Sequence, residues 1–149
     1  MYICEFEFVQ DGDSILCWPF FPGRTDGTQG EDFDDAVEMS ADWLRGIALD
    51  YLMSGNTMPK PTLGNAPQRG GRIVTIAVDA SLSDVPAVTA AEAAELLGVS
   101  TARITQLAKA GALDSWKVGR TRMVSQESVQ LRLAEKRKAG RPRKEPATS

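Results

Sequence analysis

The charge of this 149-residue chain reverses near its middle, and the reversal limits how the chain can fold. Residues 1–84 carry 5 Lys and Arg against 14 Asp and Glu, a net charge of −9, whereas residues 85–149 carry 12 against 6, a net charge of +6. This division predicts two small modules with different partners. An acidic module suits a basic protein and a basic module suits nucleic acid, the alternative being two solvated surfaces without a binding role.

The chain contains no histidine and only two cysteines. The lack of histidine removes Ser-His-Asp and Cys-His catalysis and every histidine metal ligand, and two cysteines are too few for a structural zinc site. No apolar run approaches the ~18–20 residues of a membrane span, and the N-terminus has no secretory signal pattern. We therefore expect a cytoplasmic protein that is not an enzyme, does not enter a membrane and needs no metal or organic cofactor.

Alternating hydrophobicity near the N-terminus predicts a β-hairpin. Residues 2–9 and 14–20 alternate with period two, and Asp11-Gly12 between them is a two-residue turn signal. With Asp11-Gly12 as the loop, Phe6 faces Cys17 and the two cysteines are diagonal to each other, which disfavours a disulfide.

A helix and a last strand follow the hairpin. The turn-rich residues 22–30 leave room for one short strand; Asp32 is a plausible N-cap and Gly55 a plausible C-terminal stop. Apolar residues between these caps recur at helical spacing and predict one buried face: Phe33, Val37, Ala41, Leu44, Ile47, Ala48, Tyr51 and Leu52. Residues 72–79 are β-branched and alternating. The order predicts an α+β module with one helix on one face of a small sheet.

The carboxylates of this half have an enzymatic interpretation, because paired acids can hold two metal ions for nucleic-acid cleavage. Glu5 and Glu7 do share one strand face. The aspartates at the helix start are explained by capping, however, and those of the hairpin by its turn. We therefore predict no catalytic site here.

The segment around the helix start resembles the hallmark of HicB antitoxins. The matching pieces are Trp18-Pro19-Phe20-Phe21-Pro22-Gly23, then Thr25 and Gly27 or Gln29-Gly30, then Asp32-Phe33-Asp34-Asp35-Ala36-Val37, and Met58-Pro59-Lys60-Pro61 after the helix. The resemblance covers residues 1–82 and implies a partial RNase H-like fold without the nuclease site. It also implies a partner, a small basic HicA toxin that cleaves RNA.

The toxin contacts expected from this resemblance are Trp18, Phe20, Phe21 and Asp26. The family usually has an acidic residue after the first proline and Leu before the second, where this chain has Phe20 and Phe21. We therefore expect a more apolar toxin contact at this strand end.

The basic half begins with a predicted helix-turn-helix after a linker at 83–88. Thr89 and Glu92 form a capping box for a helix that ends at Gly98, and Ser100 caps a second helix that stops at Gly111. The side chains expected at DNA from this region are polar or basic: Ser100, Thr101, Arg103, Gln106 and Lys109. Arg can read guanine and Gln can read adenine, although such a face is often only solvated.

Residues 116–124 predict a wing, a tight hairpin whose Gly-Arg tip offers Lys117, Arg120 and Arg122 to DNA. Ser125 then caps a third helix. Three pieces, Glu-Ala-Ala-Glu-Leu-Leu-Gly-Val-Ser at 92–100, Lys-Ala-Gly-Ala-Leu at 109–113 and Lys-Val-Gly-Arg at 117–120, resemble the MerR-like winged helix-turn-helix of excisionases over Thr89 to about Glu135, within a predicted domain of 89–137. The resemblance implies that the second helix enters the major groove and that the wing contacts backbone or minor groove.

The tail, residues 138–149, is expected to be disordered when free. Gly140-Arg141-Pro142 resembles the core of an AT-hook, so Arg141 and Arg143 are expected in an A·T minor groove or, alternatively, near phosphates. Together these features predict an antitoxin, a homodimer or higher homo-oligomer, that neutralises a HicA-type toxin and binds operator DNA to regulate its own operon. The alternative is a transcription regulator whose N-terminal domain senses a ligand or only dimerises.

Overall fold

A computed structural model describes residues 1–139, which form two compact units. The first unit is Met1–Leu82, and the second begins at Ser83. Each unit combines helices with an antiparallel sheet, which confirms the predicted α+β class. Within residues 1–139, no helix is both long and apolar enough to cross a bilayer.

The first unit is a four-stranded antiparallel sheet with one helix packed on it. Its elements follow the predicted order: β1 (Tyr2–Asp11), β2 (Ser14–Pro19), β3 (Thr28–Gly30), α1 (Phe33–Ser54) and β4 (Arg72–Val78). The strands lie in the order β3-β2-β1-β4, so the last strand pairs with the first. This arrangement leaves β3 and β4 at the two edges of the sheet.

The hairpin between β1 and β2 has a different register from the predicted one. Phe6 lies opposite Pro19 and Phe8 opposite Cys17, and the last pair is Asp11 with Ser14. The loop is therefore Gly12-Asp13, one residue later than predicted. Gly12 has a φ of 62°, the positive value that primed hairpin turns require at the first loop position. Because the pairing shifts by two residues, each side chain keeps its predicted face.

The caps of α1 are confirmed, but the helix is rotated from the predicted face. Asp32 accepts a 2.8 Å hydrogen bond from the Asp35 amide, and Gly55 ends the helix in the left-handed conformation with a φ of 73°. Phe33 is 40% exposed, so its predicted burial is wrong. The buried residues of α1 are mostly small: Ala36, Ser40, Leu44, Ile47 and Ala48. Small side chains let the helix approach the sheet closely, and this turns Phe33 outward.

Gly30 allows this close approach, because a Cβ atom there would lie 2.4 Å from the Ala36 nitrogen. We expect Gly30→Ala to lower the free energy of unfolding by roughly 1–3 kcal/mol, since backbone must shift. Gly46→Ala is the matched control: it lies within α1 with nothing near its added methyl group, so it is expected to stabilise by ~0.5–1 kcal/mol. Urea unfolding gives the free energy of unfolding of both variants. If Gly30→Ala and Gly46→Ala changed it equally, α1 would not approach Gly30 this closely.

The face of the sheet opposite α1 is covered by the loop between α1 and β4. The Glu7 side chain is 1% exposed and accepts hydrogen bonds from the backbone amides of Gln68, Arg69 and Gly71, at 2.8, 2.7 and 2.9 Å. Glu5 likewise accepts three hydrogen bonds, from Gly64 N at 3.0 Å, Asn65 N at 2.9 Å and Asn65 Nδ2 at 2.8 Å. The two glutamates thus fix a loop that sequence periodicity did not reveal.

As far as residue 139, the second unit has three α-helices and a small sheet. Its elements are β5 (Ala87–Thr89), α2 (Ala90–Leu97), α3 (Thr101–Lys109), β6 (Ser115–Val118), β7 (Thr121–Ser125) and α4 (Gln126–Ala139). The strands lie in the order β5-β7-β6. Ala87 and Val88, predicted as linker, instead pair with Ser125 and Val124. This correction has a tertiary cause, because three residues show no period until a partner strand is present.

The core of the second unit is built mainly from α2, α3 and the start of α4. Its buried residues are Ala93, Ala94, Leu97, Ile104, Leu107, Leu113, Val124 and Val129. Val99, in the turn between the two short helices, packs against this cluster as a partly buried member. The domain therefore holds α2 and α3 rigidly against each other.

Candidate nucleic-acid interface

The turn between α2 and α3 is defined by three local signals. Thr89 and Glu92 form the predicted capping box, with the Thr89 amide donating to Glu92 at 2.8 Å and the Glu92 amide donating to Thr89 Oγ1 at 3.1 Å. The bond from the Thr89 amide, followed by the Thr89 hydroxyl, holds the pKa of the exposed Glu92 carboxyl below its ordinary value. Gly98 ends α2 with a φ of 68°, and Ser100 begins α3. The chain thus reverses from one helix to the next within three residues.

The outer surface of α3 carries the side chains predicted to contact DNA. Ser100, Thr101, Arg103, Gln106 and Lys109 are all exposed. The Ser100 hydroxyl already accepts the Arg103 amide at 3.1 Å, so its first role is to cap α3. Arg103 Nη1 donates to Gln106 Oε1 at 3.3 Å, which places the two candidate base-reading groups side by side on successive turns.

The wing is the hairpin of β6 and β7, and its tip has the predicted form. Gly119 and Arg120 form the two-residue loop, and Gly119 has a φ of 63°. Lys117 and Arg120 are exposed. Arg122 is half-buried, and its Nη1 donates to Ser115 Oγ at 2.7 Å, so it braces the two strands. The tip therefore offers Lys117 and Arg120 for phosphate contact, whereas Arg122 supports the hairpin.

The basic residues Lys136, Arg137 and Lys138, which the sequence predicts as part of an arm along the DNA backbone, lie at the end of α4. Lys136 Nζ donates to the Leu97 carbonyl oxygen at the end of α2, where a cation is favoured by the helix dipole. A groove of about 790 Å³ lies between these helices. Its floor is apolar and is formed by Leu97, Val99 and Leu107. Its rim is largely basic and is formed by Arg103, Arg132, Glu135, Lys136 and Lys138. The spacing of basic residues along α4 could have indicated that this helix has a charged face. It could not have indicated which segments of the chain lie beside that face.

The residues expected at the toxin are not equally available. Phe21 is 5% exposed and packs edge-on against Trp43 at 5.9 Å between ring centroids, so its ring belongs to the core of this unit, and its contact with a toxin stays a prediction. The Phe21 ring lies in the core because aromatic side chains of α1, such as Trp43, pack against it. Trp18 and Phe20 are half-buried, with Arg69 lying 4.0 Å from the Trp18 ring centroid. Asp26 is exposed.

Two predicted contacts, Arg141 and Arg143, lie outside the described residues. Among residues 1–139, no group of three or more Cys, Asp or Glu side chains is arranged to hold a metal ion.

The second unit matches a family model described as a helix-turn-helix domain, over residues 87–137. The match begins at β5 and ends within α4, so it covers the wing as well as the two helices. The match supports a C-terminal helix-turn-helix domain, a class of module that binds DNA. A search of curated proteins and a search of solved structures each found no match.

Proposed function

We propose that this protein is an antitoxin that binds the operator of its own operon through its C-terminal unit. Its N-terminal unit binds and neutralises a small, basic, HicA-type toxin that cleaves RNA. Both roles are binding roles in the cytoplasm, without catalysis and without a cofactor. The observation that carries the proposal is the exposed outer surface of α3, which is polar and basic and stands on a domain of a DNA-binding class.

The DNA-binding half of the proposal rests on the charge of α3 and the wing and on side chains that can contact base edges. The α3 helix, Thr101–Lys109, contains no Asp or Glu, so nothing on it repels phosphate. Arg103 and Gln106 have the donor and acceptor groups that read base edges in a major groove. Arg120 at the wing tip is placed at the end of a hairpin, where it contributes sequence-independent attraction to the backbone.

The toxin-binding half rests on an acidic surface. Asp34, Glu38 and Asp42 recur every four residues along α1 and are exposed, so they form one stripe. Asp42 Oδ1 lies 2.9 Å from Arg45 Nη1, and Asp26, in the loop before β3, is a further exposed acidic residue of this unit. Such a surface attracts a basic partner over long range and favours fast association at low salt.

We expect residues 1–82 alone to neutralise the toxin, because they form one compact unit that carries the acidic surface. The test is co-expression with the basic protein encoded by the adjacent gene, read out as growth. Glu38→Lys should weaken rescue, whereas Asp11→Lys, the same charge change at the exposed hairpin, should not. Growth arrest despite a folded fragment would refute the neutralising role.

The alternative is a regulator whose N-terminal unit senses a small molecule. A cavity of about 480 Å³ in that unit favours it, with Arg72 Cζ lying 4.6 Å from the Phe33 ring centroid at its wall. Its remaining lining residues are Phe8, Gln10, Ile15, Gly70 and Gly71. An adjacent gene for a small basic protein distinguishes the two functions, because only the antitoxin requires it.

A further inference from the structure

The groove at the basic end of α4 has the size and lining of a small-molecule site. Its volume of about 790 Å³ lies within the range of roughly 300–1,000 Å³ that such sites occupy. Three apolar residues form its floor: Leu97 and Leu107 are almost fully buried, and Val99 is half-buried. The floor therefore offers a small apolar surface inside a polar rim, which is the usual composition of a ligand pocket.

The rim of the groove carries an excess of positive charge. Four basic residues stand against one acidic residue, a net charge of +3: Arg103, Arg132, Lys136 and Lys138 against Glu135. Within residues 1–139, none of these five side chains forms an ion pair. Like charges that are held close together repel one another, so an anion in the groove would relieve this repulsion.

The basic side chains of the rim differ in how they are already engaged. Arg103 Nη1 donates to Gln106 Oε1 at 3.3 Å, and Lys136 Nζ donates to the Leu97 carbonyl oxygen. Arg132 is half-buried, and within residues 1–139 it has no hydrogen bond or ion pair. The planar guanidinium group of arginine matches a carboxylate, which can accept two parallel hydrogen bonds from it. Arg132 is therefore the residue of the rim that is free to bind such a group.

We propose that this groove binds a small amphiphilic carboxylate, a fatty-acid-like anion whose alkyl chain lies on the apolar floor and whose carboxylate accepts hydrogen bonds from Arg132. Two other occupants fit less well. Residues 140–149, which follow α4, contain three basic residues and one acidic residue, so the basic rim repels them. An acidic amphipathic helix needs apolar surface for anchors at i, i+3, i+4 and i+7, whereas two of the three floor residues are almost fully buried.

The ligand would compete with operator DNA, a consequence that rests on the DNA-binding half of the proposed function. Arg103 belongs both to the outer surface of α3, where we propose that it reads a base, and to the rim of the groove. A carboxylate beside Arg103 would draw its guanidinium away from the base edge and would place negative charge near the DNA phosphates. Ligand and operator therefore lower each other's affinity by the same factor.

The first test measures ligand binding to the full chain without DNA. Decanoate, kept below its micelle concentration, is titrated calorimetrically, with decylamine as the probe of opposite charge. Decanoate is expected to bind once per chain and decylamine is not, because the rim is positive. No binding of decanoate, binding of decylamine as tight as that of decanoate, or tighter binding of an acidic amphipathic peptide would each overturn the proposal.

A pair of variants tests the position of the carboxylate. Arg132→Gln is expected to weaken decanoate binding about tenfold, the effect of losing a hydrogen bond to a charged group. Arg137→Gln is the matched control, because Arg137 is an exposed residue of the same helix that does not line the groove. Thermal unfolding curves show that each variant is folded. Equal affinity of the two variants for decanoate would mean that the ligand does not bind in this groove.

The last measurement separates this inference from the proposed function. The affinity of the full chain for operator DNA is measured without decanoate and with decanoate at ten times its dissociation constant. The apparent dissociation constant for operator is expected to rise about tenfold, because ligand and DNA exclude each other. If decanoate binds but leaves operator affinity unchanged, the competition is refuted and the DNA-binding role stands. If decanoate binds and no operator is bound, the DNA-binding role fails and the ligand site stands.

Discussion

Arg103→Ala combined with Gln106→Ala is expected to remove discrimination between the operator and unrelated DNA. Each side chain is exposed on α3, and loss of a good base contact costs ~1–3 kcal/mol at one base pair. The 3.3 Å bond between Arg103 Nη1 and Gln106 Oε1 is exposed, so its loss should change stability little. The loss should therefore appear in DNA binding and not in the thermal unfolding curve.

The measurement is fluorescence anisotropy with operator and scrambled duplexes at several salt concentrations. Arg120→Ala serves as the contrast, because a phosphate contact at the wing tip should weaken binding to both duplexes and reduce the salt slope by ~1. Arg24→Ala removes one positive charge from the other unit and should change neither the affinity for the two duplexes nor the salt slope. An unchanged operator preference in the double variant would mean that α3 does not read bases.

Glu7→Gln is expected to lower the free energy of unfolding by roughly 2–4 kcal/mol, because the buried carboxylate is the charged acceptor of three backbone amides. The carboxylate accepts three backbone hydrogen bonds, whereas glutamine offers one oxygen and turns an NH₂ group towards the remaining donors. The loop from Gln68 to Gly71 should consequently detach from the sheet. Urea unfolding measures the loss, and Glu38→Gln on the exposed face of α1 is the control.

The same variant should change how stability depends on pH. Burial by itself raises the pKa of Glu7, but the hydrogen bonds from Gln68, Gly71 and Arg69 outweigh it and hold that pKa below the ordinary 4.5. The backbone bonds from Asn65 and Gly64 lower the pKa of Glu5 in the same direction. A lowered folded-state pKa gives stability that is present above pH 4.5 and is lost as pH falls through the lower value.

Wild-type stability should therefore fall on acidification below about pH 4.5, and the Glu7→Gln variant should show a shallower fall. Unfolding midpoints across this pH range measure the difference. If Glu7→Gln were no less stable than Glu38→Gln, with the same pH profile, the buried carboxylate would not be holding the loop.

Local signals in the sequence were sufficient for the helices of both units, for every strand except β5, and for the outer surface of α3. Asp32, Thr89 and Ser100 begin helices because a side-chain oxygen satisfies an amide within the same turn. Such bonds involve residues three positions apart, so no knowledge of the fold is needed to predict them. The exposed position of Arg103 and Gln106 likewise follows from helical periodicity alone.

The tertiary structure decided the features that depend on residues far apart in the chain. Glu7 is bonded to amides more than sixty positions away, and Lys136 to a carbonyl thirty-nine positions away, so neither contact has a local pattern. The burial of Phe21 depends on Trp43, and β5 becomes a strand only beside β7. Periodicity shows which side chains share a face, but the partner that covers a face is chosen by packing between distant segments, which no local period records.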